Sequence, residues 1–132
     1  MKVLAINHIN IEVTEAQLPE MIRFYQAVLG FNEGYRMPSR RGGAWLYSPD
    51  NAVAMVHLSV IPEAPPTGQK THFNHVAYTC QDVPAALARL KQHGIHFDQQ
   101  YMATPGMTQL FFYDPVGIRI ELNFPGEALP DA

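Results

Sequence analysis

The chain has 132 residues, 47% of them hydrophobic, which suffices for one ordinary globular core and is too little for two independent domains. A formal charge of -3, a pI near 6.0 and no basic cluster beyond Arg40-Arg41 leave no electrostatic footprint for nucleic acid or an anionic membrane, so a small molecule is the expected partner. The lone cysteine, Cys80, cannot form an internal disulfide, and no signal-like or bilayer-length apolar stretch is present; both observations predict a soluble cytoplasmic protein.

The first predicted element is a strand over residues 3 to 13. Ile6, His8, Asn10 and Glu12 share one face of it, and Ile9, Ile11 and Val13 the other. From 17 to 29, Leu18, Met21, Ile22, Tyr25, Val28 and Leu29 recur at helical spacing, with Pro19 in the tolerated first turn and Gly30 placed to end the helix. Extended segments near 33 to 37, 43 to 47 and 52 to 61 follow, separated by Ser39-Arg40-Arg41-Gly42-Gly43 and Ser48-Pro49-Asp50-Asn51. In the last of these, His57 lies on the more polar face. Pro62 to Gly68 cannot continue a sheet and reads as a linker.

The second half repeats the plan. A strand is predicted at 72 to 80, then a helix that Asp82 can cap and Gly94 can end, with Val83, Ala86, Leu87 and Leu90 as its buried stripe. Strands near 97 to 102, 107 to 113 and 117 to 124 follow; in the last, Ile118, Ile120 and Leu122 point one way and Arg119, Glu121 and Asn123 the other. His57 stands 27 residues after Gly30, and Glu121 stands 27 after Gly94. With the halves in register, His8, His57, His75 and Glu121 occupy matching strand positions, a donor set suited to a divalent metal. An ionised Glu121 facing a cavity is costly unless paired or coordinating a cation. The competing reading is a structural cluster in which Arg119 or Glu12 pairs with Glu121 or a histidine. His72, His93 and His96 fall at a strand start, a helix end and a turn, where solvated roles are expected.

The stretches His8-Ile9-Asn10-Ile11, Phe24 to Phe31, His75-Val76-Ala77 and Phe112 to Leu122, in this order and spacing, resemble the vicinal oxygen chelate superfamily of glyoxalases, extradiol dioxygenases, fosfomycin-resistance and bleomycin-binding proteins. The resemblance implies an α+β fold of two tandem βαβββ modules, with curved sheets around a cleft. The division would be module 1 over 1–61, a linker over 62–71, module 2 over 72–124 and a tail over 125–132 within one domain. It further implies metal ligation by His8, His57, His75 and Glu121. The ion would be Fe, Mn, Ni, Zn or Co, in a homodimer whose site is often completed across subunits.

Catalytic roles fall on His57 and Glu121, and substrate contacts on Asn10, Glu12, Trp45, Phe111, Tyr113, Arg119 and Asn123. Trp45, Tyr47, Phe111 and Tyr113 are expected in the core or the cavity wall. Three readings compete. His8, His75 and Glu121 match the two-histidine, one-carboxylate triad of ring-cleaving dioxygenases, which stands slightly ahead. A glyoxalase-like lyase or epimerase would use His57 as base; Glu12 and Ile61, where glutathione-dependent glyoxalases carry arginine and asparagine, argue against glutathione. The third is a non-catalytic antibiotic-binding protein.

Overall fold

Thr14 and Gln17 open the first helix by exchanging hydrogen bonds: the Gln17 amide oxygen accepts from the Thr14 N–H (2.9 Å) and Thr14 Oγ1 accepts from the Gln17 N–H (3.3 Å). This reciprocal capping box satisfies donors that the first turn leaves without partners. Helix α1 runs over Leu18–Leu29, burying Met21, Tyr25 and Val28 on one stripe. It ends at Gly30, whose φ of 72° lets its N–H reach the Gln26 carbonyl while the Phe31 N–H reaches that of Tyr25.

The computed structural model describes residues 1–66 and 68–131, and the chain divides into two units, Met1–Pro66 and Thr67–Ala132. The first holds β1 (Ile9–Val13), α1, β2 (Asn32–Gly34), β3 (Gly43–Tyr47) and β4 (Ala54–Val60). The second holds β5 (Val76–Thr79), α2 (Val83–Gln92), β6 (Asp98–Met102), β7 (Met107–Tyr113) and β8 (Arg119–Pro125). Each unit is thus a βαβββ module of α+β class, as expected. The sheets have equivalent orders, β1-β4-β3-β2 and β5-β8-β7-β6. In each the first strand runs parallel to the last, because the intervening helix supplies the crossover.

The registers also correspond. Ile9 faces Val56 and Asn10 faces His57 in one sheet; Val76 faces Ile120 and Ala77 faces Glu121 in the other. Period-2 alternation divides the faces: Ala54, Val56 and Leu58 are buried between half-buried Met55, His57 and Ser59, and Leu110 and Phe112 are buried around half-buried Phe111. The core of the first unit gathers Val13, Met21, Tyr25, Leu46, Val56 and Leu58, and that of the second gathers Val83, Leu90, Leu110, Phe112, Ile120 and Phe124.

Several strands are shorter than expected, the first and the fifth by the most. The first starts at Ile9 rather than near residue 3, and the fifth at Val76 rather than 72. The apolar alternation continues into segments that have no ladder partner, leaving Val3, Leu4 and Ile6 exposed. The expected tail from 125 also begins later, since Pro125 closes β8. Glu127 then caps α2: its carboxylate oxygens accept from the N–H groups of Asp82 (2.8 Å) and Val83 (2.9 Å), while Asp82 Oδ1 accepts from that of Ala85. Among the described residues no helix is long and apolar enough to cross a membrane.

Candidate metal and substrate site

His75 stands immediately before β5 and Glu121 lies in β8, where the ladder turns both toward the same face of the second sheet. The register that brings Glu121 opposite Phe111 is set by the connecting turn. There Asp114 Oδ1 accepts from the Val116 and Ile118 N–H groups, and Gly117 takes a φ of 90°. Glu121 is 5% exposed. Its Oε2 lies 2.9 Å from His75 Nε2, and its Oε1 accepts from the Gln109 side-chain amide. Gln109 in turn accepts from Gln100. The buried carboxylate is therefore held at both oxygens, as its desolvation requires.

The proton arrangement on His75 follows from its neighbours. Asn74 Oδ1 accepts from Arg119 Nη1 at 3.2 Å, and since guanidinium only donates, that atom is fixed as an acceptor. His75 Nδ1, 2.7 Å from the same oxygen, must then carry a hydrogen, which leaves Nε2 directed at Glu121. His8 repeats the device: its Nδ1 lies 2.8 Å from Asn7 Oδ1. The Asn-His dipeptide at 7–8 and again at 74–75 is the sequence signal for this backing, and it goes unread when only the histidines are considered.

The first unit places its candidates differently. His57 is sandwiched between two rings, with His8 stacked at 3.8 Å and 8° and Trp45 at 4.1 Å and 14°. Burial, followed by the neighbouring His8, lowers the His57 pKa below its ordinary value, so the ring is neutral at pH 7. Imidazole lone pairs lie in the ring plane. Two rings stacked face to face therefore cannot both aim at one ion unless one of them turns. His75 and Glu121 do fit one cation: their 2.9 Å separation matches adjacent ligands at metal bonds of ~2.1 Å. His8, backed by Asn7, fits as a single donor. Among the described residues no group of three or more His, Cys, Asp or Glu side chains is gathered to hold a metal.

A cavity of about 430 Å3 opens beside the second pair. Phe111 is its aromatic wall; Gln99, Gln100 and Gln109 supply amides, and Asp98, Arg119, His75 and Glu121 the ionisable groups. Arg119 lies over the Phe111 ring, 4.6 Å from its centroid. The residues that sequence reasoning passed over are Asn7, Asn74, Asp98 and the three glutamines; Gln109 was legible as the residue sharing a strand face with Phe111, two positions away.

Of the expected substrate contacts, Phe111 and Arg119 line this cavity and Trp45 lies against His57. Asn123 is half-buried in β8, with an amide oxygen that has no hydrogen-bond partner among the described residues. Asn10 is exposed on β1. Tyr113, expected in the core or the cavity wall, is instead 61% exposed at the end of β7. Tyr47 is half-buried and donates to the Tyr35 carbonyl. The structural cluster imagined from sequence does not form, because Glu12 pairs with Arg41 at 3.2 Å while Arg119 bonds Asn74.

Residues 5–122 match the family model of the Glyoxalase/Bleomycin resistance protein/Dioxygenase superfamily. The chain is 31% identical over 130 residues to Glyoxylase I 4 of Arabidopsis thaliana, covering 89% of this chain and 69% of that protein. Among solved structures it is similar to a glyoxalase-family protein from Bacillus anthracis (TM-score 0.73, 22% identity, 95% of this chain and 98% of that one). It is also similar to TnmS3, an antibiotic binding protein from Streptomyces sp. CB03234 (TM-score 0.66, 25% identity, 95% and 98%).

Proposed function

The chain belongs to the Glyoxalase/Bleomycin resistance protein/Dioxygenase superfamily, and from that premise we propose that it is a divalent-metal-dependent enzyme catalysing proton transfer on a small, polar, oxygenated substrate, in the manner of a glutathione-independent glyoxalase-like lyase or epimerase. The observation that carries this reading is the His75–Glu121 pair, backed by Asn74 and Gln109, at the wall of a cavity lined mainly by amides and charges. Such walls suit a hydroxy-carbonyl compound better than an apolar ring. His75, Glu121 and His8 would hold the ion, Fe, Mn, Ni, Zn or Co, in a cytoplasmic homodimer where His8 of one protomer serves the pair of the other. A bound divalent ion supplies Lewis acidity to two neighbouring substrate oxygens, favouring the enolate.

The chain's own residues do the rest. Asn7 and Asn74 keep each Nδ1 protonated and each Nε2 turned outward. Gln109 holds one Glu121 oxygen so that the other stays directed at His75. His57, neutral at pH 7 and restrained between Trp45 and His8, takes the substrate's carbon-bound proton and returns it. A second reading, ring-cleaving dioxygenase chemistry on an aromatic diol, is favoured by the triad His8, His75 and Glu121, which leaves coordination positions open.

The test is metal content by elemental analysis of protein purified without chelator, followed by isomerase, lyase and catechol assays. Stoichiometric metal with hydroxy-carbonyl turnover, retained metal but lost turnover in His57→Ala, is the expected result. Iron or manganese with catechol cleavage would establish the second reading. No metal after reconstitution would overturn both and leave an antibiotic-sequestering protein.

A further inference from the structure

Arg119 is a cation without an anionic partner. Its Nη1 bonds the neutral Asn74 oxygen at 3.2 Å and its guanidinium lies on the Phe111 face, and among the described residues no carboxylate comes within ion-pair distance of it. Glu121, two residues along the same strand face, is engaged by His75 and Gln109. Asp98 shares the cavity wall without pairing with Arg119. One of the five guanidinium N–H donors is therefore used, and the plane that carries the others is fixed by the ring beneath it. A stacked guanidinium presents a rigid fork matched to the two oxygens of a carboxylate. The same Asn74 oxygen joins Arg119 to His75, so the fork and the proposed metal ligand are oriented by one atom.

We infer that Arg119 is a specificity-determining residue that takes the carboxylate of a small hydroxy- or oxo-acid. This deepens the proposed function and rests on the same cavity. Orientation of the acid follows: its carboxylate lies at the Phe111 side of the cavity and its remaining oxygens toward His75 and Glu121. The glutamine amides face the rest of the molecule.

The experiment crosses ligand charge with residue charge, so that any preference of the metal itself cancels. Binding of lactate and of its neutral isostere lactamide is measured by calorimetry to the wild-type protein and to Arg119→Gln, each metal-loaded and again with EDTA. Arg119→Lys serves as the variant that keeps charge and loses the fork. Folding and metal content of the variants are checked first, and binding is compared only between folded proteins in the same metal state.

The expected result is that Arg119→Gln weakens lactate at least ~10-fold and lactamide less than ~2-fold, with Arg119→Lys between. That pattern in either metal state supports the inference, and its persistence in EDTA would support it even where the metal reading fails. Equal losses for the two ligands in both states would overturn it, as would no saturable lactate binding to the wild type at millimolar concentrations. Equal lactate binding with and without metal, the crossed effect intact, would count against the proposed function and not against the role of Arg119.

Discussion

Replacing His75 by Ala in the metal-free protein removes one of the two partners that hold a carboxylate at 7% side-chain exposure. A hydrogen bond to a charged group contributes about 1.5–3 kcal/mol, and breaking a sealed ion pair costs about 3–5 kcal/mol. The His75 side chain is 34% exposed, so water enters where the ring was and rehydrates Glu121 in part. The smaller figure applies, and the expected loss is about 2 kcal/mol, or about 6–8 °C in Tm for a chain of this size. Glu121→Met keeps length and apolar volume but removes the charge. In a double-mutant cycle His75→Ala and Glu121→Met should couple by about 1–2 kcal/mol, because the second change has no partner left to lose. The assay is denaturant unfolding in EDTA, followed by circular dichroism. Additivity within about 0.5 kcal/mol would show that the pair does not form in solution and would remove the basis for placing a cation between these atoms.

His57 gives a pH signature in the same metal-free protein. Its pKa is lowered on folding, so the unfolded chain binds a proton near 6.5 that the native ring refuses. Stability is therefore full above that pH and falls as the pH drops through it, and His57→Phe should flatten the curve of unfolding free energy between about pH 7 and 5; an unchanged slope would contradict the half-buried, stacked placement. Glu127→Ala uncaps α2 and should cost about 1–2 kcal/mol in thermal unfolding while leaving metal content untouched; an unchanged Tm would refute the cap.

Much of this was legible in the order of residues, and the failures have physical causes. Helix α1 declares itself by Met21, Tyr25 and Val28 and by Gly30, and α2 by Asp82, because periodicity and capping act within a few residues. Strand limits were less legible, since they depend on a partner elsewhere in the chain. The alternation through Ile6 and His8 continues, but pairing in β1 starts at Ile9, opposite Val56. The four ligand candidates were found because the repeat set them in corresponding positions. The supports of Glu121, Gln109 and behind it Gln100, lie on other strands, and only the ladder registers bring them together. Tyr113 misled because it sits near the end of β7, where alternation continues but the cavity does not.

The same registers also explain why the two halves do not duplicate each other's chemistry. Trp45 faces His57 as Phe111 faces Glu121, so the strand position that holds Gln109 in the second unit holds Gly43 in the first. A Cβ at Gly43 would lie 2.1 Å from the Leu58 carbonyl oxygen, and its φ of 156° is rarely adopted by residues with side chains. No glutamine can stand there to hold a carboxylate at position 57. A charged side chain at that position would lack the second partner that Glu121 has, whereas a neutral imidazole needs only the flat contact that Trp45 and His8 provide. One backbone plan thus yields a half suited to holding charge, where the proposed cation and anionic substrate group would sit, and a half suited to keeping an imidazole neutral. The divergence between the repeats, more than their likeness, divides the work of the proposed reaction.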